Sequence, residues 1–112
     1  MSLPRLNRRL VLEAPQRVPD NAGGYSENWI GLGELWAEVR PKTGRERAEA
    51  GISVASVPFD IIVRAAPQGS AARPRPEQRF RDGSRLFRIR AVAEHDWDGR
   101  FLTCFADEEL VA

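Results

Sequence analysis

Apolar and polar positions alternate along several short stretches of this chain, and between them the pattern breaks into turn residues and charge. Arg8 to Glu13 (RRLVLE) reads as a first strand that Pro15 ends. Pro19-Asp20-Asn21-Ala22-Gly23-Gly24 is dense in turn residues and reads as a loop. Leu35 to Arg40 alternates as a half-buried second strand, stopped by Pro41. Phe59 to Arg64 is a third, β-branched strand between Pro58 and Pro67. Ala65 to Pro76, with four Pro and Gly breakers, is a loop.

Two hairpins follow. Asp82-Gly83 and Asp98-Gly99 each sit between alternating segments, and Asp-Gly is a favoured two-residue turn because both positions tolerate positive φ. Phe87, Ile89 and Ala91 fall on one face with Arg88 and Arg90 on the other; Phe101, Thr103 and Phe105 share a face. The spacing of these strands predicts an all-β fold: a small antiparallel β-barrel or sandwich. Closure would remove most exposed edges. The single candidate helix is the short run Arg45 to Ala50, bracketed by Gly44 and Gly51. A helix that short is marginal alone in water, so Lys42 to Val57 is expected to be a long mobile loop between strands two and three. Connections of that length in a compact domain are usually functional.

The chain's 112 residues suit one domain spanning 1–112. Its apolar runs are too short to cross a bilayer, and Leu10-Val11-Leu12 is too short for a signal-peptide core. A soluble cytoplasmic product without a membrane partner is the expectation. Cys104 is the sole cysteine and reads as a small core residue, which excludes an internal disulfide and a cysteine-rich metal site. His95 is the sole histidine. It has no serine or second histidine near it in sequence, and no catalytic set emerges. Asp96-Trp97-Asp98-Gly99 echoes the start of a calcium loop but lacks the acid at the final position, so it reads as turn chemistry. The expectation is no enzyme, no cofactor and no metal. Trp29, Trp36 and Trp97 are read as partly buried core.

Formal net charge is only +1, yet its distribution is uneven. From Arg64 to Arg90 eight arginines face two acids, and from Ala91 to Ala112 one arginine faces six acids. Arg79, Arg81, Arg85, Arg88 and Arg90 form a candidate basic face, and Glu94, Asp96, Asp107, Glu108 and Glu109 a candidate acidic one. These faces suit contact between subunits. The same arginines, interleaved with Phe80 and Phe87, also suit a barrel that binds single-stranded nucleic acid by stacking. Alternation argues against this, because Phe87 shares its face with Ile89.

Taken in order, the segments resemble the phage head–tail joining proteins, also called head-closure or stopper proteins. The resemblance rests on Leu6-Asn7-Arg8-Arg9-Leu10-Val11-Leu12, then Asp20, Gly23-Gly24 and Trp29. It continues through Leu35-Trp36-Ala37-Glu38-Val39-Arg40-Pro41 with Gly44-Arg45-Glu46, the strand Phe59 to Arg64, and the hairpin from Phe87-Arg88-Ile89 through Asp98-Gly99 to Leu102-Thr103-Cys104. The basic stretch Pro67 to Pro76 is longer than the resemblance leads one to expect. The resemblance implies a small β-barrel made in the bacterial cytoplasm and built into the head–tail connector of a phage or gene-transfer particle. It would form a homo-oligomeric, twelvefold ring that closes the portal channel after packaging and receives the tail. The implied partners are an adaptor or portal ring, a tail terminator or tail tube, and packaged double-stranded DNA. A tail-completion role is the nearest alternative. In this reading Lys42, Gly44, Arg45, Glu46, Arg47, Glu49, Gly51, Ile52, Ser53 and Val54 form the channel or partner loop, with Gly44 and Gly51 as hinges. Arg45 and Arg47 would meet phosphate or an acidic neighbour, and Ile52 to Val57 would pair between subunits.

Overall fold

The structure, a computed structural model, describes residues 3–49 and 57–109. Six antiparallel strands close into a barrel: β1 (Arg8–Pro19), β2 (Tyr25–Pro41), β3 (Pro58–Arg64), β4 (Arg79–Asp82), β5 (Arg85–Glu94) and β6 (Phe101–Glu108). Their order around the barrel is β1-β2-β3-β6-β5-β4. One short helix, α1 (Gly44–Glu49), follows β2.

The core is what alternation demands. Leu10, Leu12, Ala37, Phe59, Ile61, Val63, Phe80, Phe87, Ile89, Leu102, Cys104 and Ala106 point inward and are buried together. Phe59 and Phe87 meet edge to face, centroids 5.1 Å apart. Burial pushes the Cys104 thiol up to about 12, so it is an inert core group.

Four expectations shift. Pro15 does not end β1, which runs on to Pro19 while β2 begins ten residues before Leu35. The first hairpin turns at Gly83-Ser84 and not Asp82-Gly83, since Asp82 pairs with Arg85. Gly83 stands at φ +61, as the first central position of a type II′ turn requires. The second connection is a six-residue loop, His95 to Arg100, and not a two-residue turn. A bulge at Arg90 moves Ala91 to the surface and brings Val92 against the core instead.

The lengthened β1–β2 hairpin changes the outline of the molecule. β4 pairs with β1 only at Val11, Leu12 and Glu13, and β3 pairs with β2 only from Ala37 to Pro41. The rest of the hairpin is a two-stranded arm extending beyond the barrel, and the long axis reaches 53 Å. A bulge at its root, where Gly31 and Gly33 oppose consecutive β1 residues, re-aims the arm; Gly33 takes φ +135, a conformation side chains rarely adopt.

Candidate functional site

Antiparallel order gives the barrel two distinct ends. The 42–57 connection, the Gly83-Ser84 turn and the end of β6 lie at one; the arm tip, the 65–78 connection and the 95–100 loop lie at the other.

The root of the 42–57 connection is firmly built. The Lys42 N–H donates to the Pro58 carbonyl at 3.2 Å, and the Glu108 N–H to the Val57 carbonyl at 2.9 Å. The Lys42 ammonium stands 3.5 Å from Asp60 and over the Phe105 ring. Thr43 and Glu46 form a capping box: the Glu46 N–H donates to Thr43 Oγ1, and the Thr43 N–H to Glu46 Oε1. The hydrogen bonds from Thr43 hold the Glu46 carboxyl below its ordinary value. The T-x-x-E spacing was the sequence signal for this start, one residue earlier than Arg45. Gly44 is thus the first residue of a capped turn, and Arg45 is exposed. Arg47 and Glu49 belong to α1. The predicted residues Gly51, Ile52, Ser53 and Val54 lie outside the described residues.

The structure brings the basic and acidic sets together within one subunit. Arg79 and Arg81 both donate to Glu13, at 2.7 and 2.8 Å. Arg85 grips Glu108 with two hydrogen bonds, at 2.7 and 3.1 Å. Arg88 reaches Glu77 at 3.0 Å and Glu109 at 3.9 Å, and Arg90 meets Asp107 at 2.6 Å. The cause is register: β6 lies beside β5, so Arg88 stands opposite Asp107 and Phe87 opposite Glu108. Burial would raise the Glu13 carboxyl, but the hydrogen bonds from Arg81 and Arg79 outweigh it and hold the pKa below 4.5. The Arg85 hydrogen bonds likewise lower Glu108. Glu13 was missed in the sequence; its place at the end of RRLVLE, two residues past Val11, carried no signal of its partners.

Asp96 is a loop organiser. Its carboxylate accepts the backbone N–H groups of Arg100 and Phe101, at 2.9 and 3.1 Å. His95 Nδ1 lies 2.9 Å from Thr103 Oγ1. Glu94 is exposed at the end of β5. Among the described residues no group of His, Cys, Asp and Glu side chains is placed to hold a metal.

Tryptophan placement corrects the sequence reading. Trp97 is 97% exposed at the tip of the 95–100 loop, and Trp36 is 56% exposed on β2. Only Trp29 is half-buried, with the Arg79 guanidinium 4.0 Å and that of Arg88 5.2 Å from its ring centroid. That stack pins the root of the arm to β4 and β5. Phe80 and Phe87 are wholly inside, so they offer no base-stacking platform.

Residues 1–109 match the family described as phage head completion protein. This chain belongs to that family. No curated protein matches it. Among solved structures, it is 61% identical to a chain of the virion of a native gene transfer agent particle, with a TM-score of 0.80, covering 98% of this chain and all of that one. A protein from Shigella flexneri 2a, solved in solution, matches over the full length of both chains with a TM-score of 0.75 at 19% identity, a likeness of fold alone. The head–tail joining resemblance drawn from the sequence is therefore sound, and so is the all-β barrel.

Proposed function

We propose that this chain is a structural, non-enzymatic component of the head–tail connector, assembling as a ring that closes the portal channel once DNA is packaged and offering the surface on which the tail docks. The observation that carries this reading is the 61% identity, over nearly the whole chain, to a virion chain of a gene transfer agent particle. That identity favours a gene-transfer-type particle over a phage. The partners are then an adaptor or portal ring on the head side, a tail terminator or tube on the other, and further copies of the chain in a twelvefold ring. Double-stranded DNA occupies the channel.

The 42–57 connection is the segment proposed to project into the channel. Its stapled root gives it a fixed point of departure, and Lys42, Arg45 and Arg47 supply positive charge toward phosphate. The basic and acidic residues of β4, β5 and β6 can serve between subunits only by exchanging partners they already hold. Salt should therefore weaken ring attachment only modestly. Asp96, committed to its own loop, is the least available of them.

The test uses DNA-filled, tailless heads from cells lacking this chain. Added purified protein should remain on the heads and suppress DNA release with time. Failure to bind heads overturns the reading. Deleting residues 45–54 should leave the barrel folded and bound yet let DNA leak; unchanged DNA retention would remove the channel role from this segment.

A further inference from the structure

We propose that the open edge of β2 along the arm, from Tyr25 to Trp36, is the docking site for an extended, basic segment of an adjoining connector chain, which adds to the arm as a third strand. This rests on the head-completion reading above and names the contact through which the subunit is held.

The argument begins with the arm's two unlike edges. On β1 the register pairs Pro15 with Trp29, Arg17 with Glu27 and Pro19 with Tyr25. A proline has no N–H to give β2, so these are the pairs whose backbone groups point away from the partner strand. The outward side of β1 has thus lost two of its three donors. It is covered as well: Ala14 and Pro15 share a shallow cavity with Arg75, Pro76, Glu77 and Gln78 of the segment leading into β4. This edge is closed to further pairing, the usual defence of an exposed strand.

The β2 edge has no such defence. The same parity turns the N–H and C=O groups of Tyr25, Glu27 and Trp29 outward, and no proline interrupts the strand before Pro41. β3 takes this edge only from Ala37 onward. Tyr25 is 62% exposed and Ile30 43%, so apolar side chains flank the open backbone. A two-stranded ribbon is marginal in water, whereas a third strand supplies both backbone bonds and side-chain contact.

Elimination identifies the occupant. The barrel is closed, so the free strand edges among the described residues are the two edges of the arm. β2 against β2 from a second copy is a two-fold contact that closes at two subunits and propagates no ring. β2 against a second copy's β1 meets Pro15 and Pro19. An extended segment of a different chain is what remains. Its charge follows from the strand: Tyr25 to Trp36 carries Glu27 and Glu34 and no base, so a basic segment complements it.

The test is amide hydrogen exchange on the wild-type protein, free and bound to DNA-filled tailless heads, read in peptides covering residues 25–31. Exchange there should be fast in the free protein and slowed about 100-fold or more on the heads. A companion variant, Glu27→Pro, removes one outward N–H and leaves the β1 ladder intact. It should lose retention on heads at least about tenfold while Glu27→Ala keeps it. Wild-type protein that binds heads without protection at 25–31 overturns the edge site and leaves the head-completion reading standing. Failure of the wild type to bind heads overturns both. A two-fold dimer of the free protein, already protected at 25–31, assigns the edge to a second copy and overturns the proposal. Should Glu27→Pro misfold, the wild-type exchange comparison decides alone.

Discussion

The β4–β5–β6 wall and the β1–β2 arm are built from the same antiparallel pairing, yet they meet their physical obligations differently. In the wall every strand has two neighbours, one face is buried, and the cations Arg85 and Arg90 close on Glu108 and Asp107 of the next strand. In the arm each strand has one neighbour and both faces are wet, and the backbone of β2 is left with unspent hydrogen-bonding capacity. Stability is therefore concentrated in the wall, and capacity for assembly in the arm. Mutations at matched aromatic and charged positions should separate the two.

The largest effect is expected inside the wall. Phe87 is fully buried and packs edge to face on Phe59, so Phe87→Ala should cost about 3–5 kcal/mol in a urea titration. In a small domain that approaches the whole folding free energy. A loss below about 1 kcal/mol would mean that the barrel core is not where stability resides. The same variant separates the stopper from a nucleic-acid barrel, since its defect should be unfolding and not loss of oligonucleotide binding.

Next comes the charge that joins wall to arm. Glu13, 7% exposed, accepts from Arg79 and Arg81 across the β1–β4 seam. Glu13→Gln leaves two guanidiniums without their anion. Arg81 is partly exposed and can turn to water, so the expected cost at neutral pH is about 1–3 kcal/mol, below that of a wholly buried pair. The pH dependence has a definite sign. A carboxyl held below its ordinary value of 4.5 stabilises the fold above that pH, and the contribution drains away as pH falls through the folded pKa. Wild type should therefore lose its advantage over Glu13→Gln below about pH 4.5. Glu108, also lowered, keeps some acid sensitivity in the variant. A gap between the two proteins that persists undiminished to pH 3 would contradict this account.

These partners also mark how far the sequence could be read. Strands β2, β3, β5 and β6 were legible where one face is buried, because alternation is the imprint of a one-sided core. The arm left no such imprint. Gln16-Arg17 and Ser26-Glu27-Asn28 are solvated on both faces, and Pro15 read as a stop because its missing N–H faces outward, where nothing needs it. The Arg–acid pairs were half legible. A β5–β6 hairpin places Arg88 and Arg90 beside the acids of β6, so the uneven charge along the chain was also a sign of pairing across one hairpin. Glu13 with Arg79 was not legible, since it depends on barrel closure between strands 66 positions apart.

A smaller effect should appear where the arm is fastened. Trp29 lies against Arg79 and Arg88, and Trp29→Ala removes both contacts along with part of a half-buried ring. The cost should be about 1–2 kcal/mol. It should be felt as faster amide exchange in residues 14–19 and 25–30, with the wall unchanged. Trp29→Phe should restore much of the protection. Uniform acceleration across the barrel would show the arm and the wall to be one cooperative unit, and the contrast between them would fail.

The smallest effect is expected at Trp97, and its smallness is informative. The side chain is almost wholly in water, although the loop beneath it is well tied. Asp96 holds two backbone N–H groups, Gly99 N–H donates to the Asp96 carbonyl, and His95 N–H donates to Phe101. None of these bonds passes through the indole. Trp97→Ala should therefore change stability by less than about 0.5 kcal/mol, the range of surface substitutions. Asp96→Ala, which unties the same loop, should be measurably worse. That order separates a ring carried by a rigid loop from a ring that holds the loop in place. If Trp97→Ala proved the more damaging of the pair, the indole would have to pack back on Leu3 and Phe101, and this end of the barrel would belong with the self-sufficient wall.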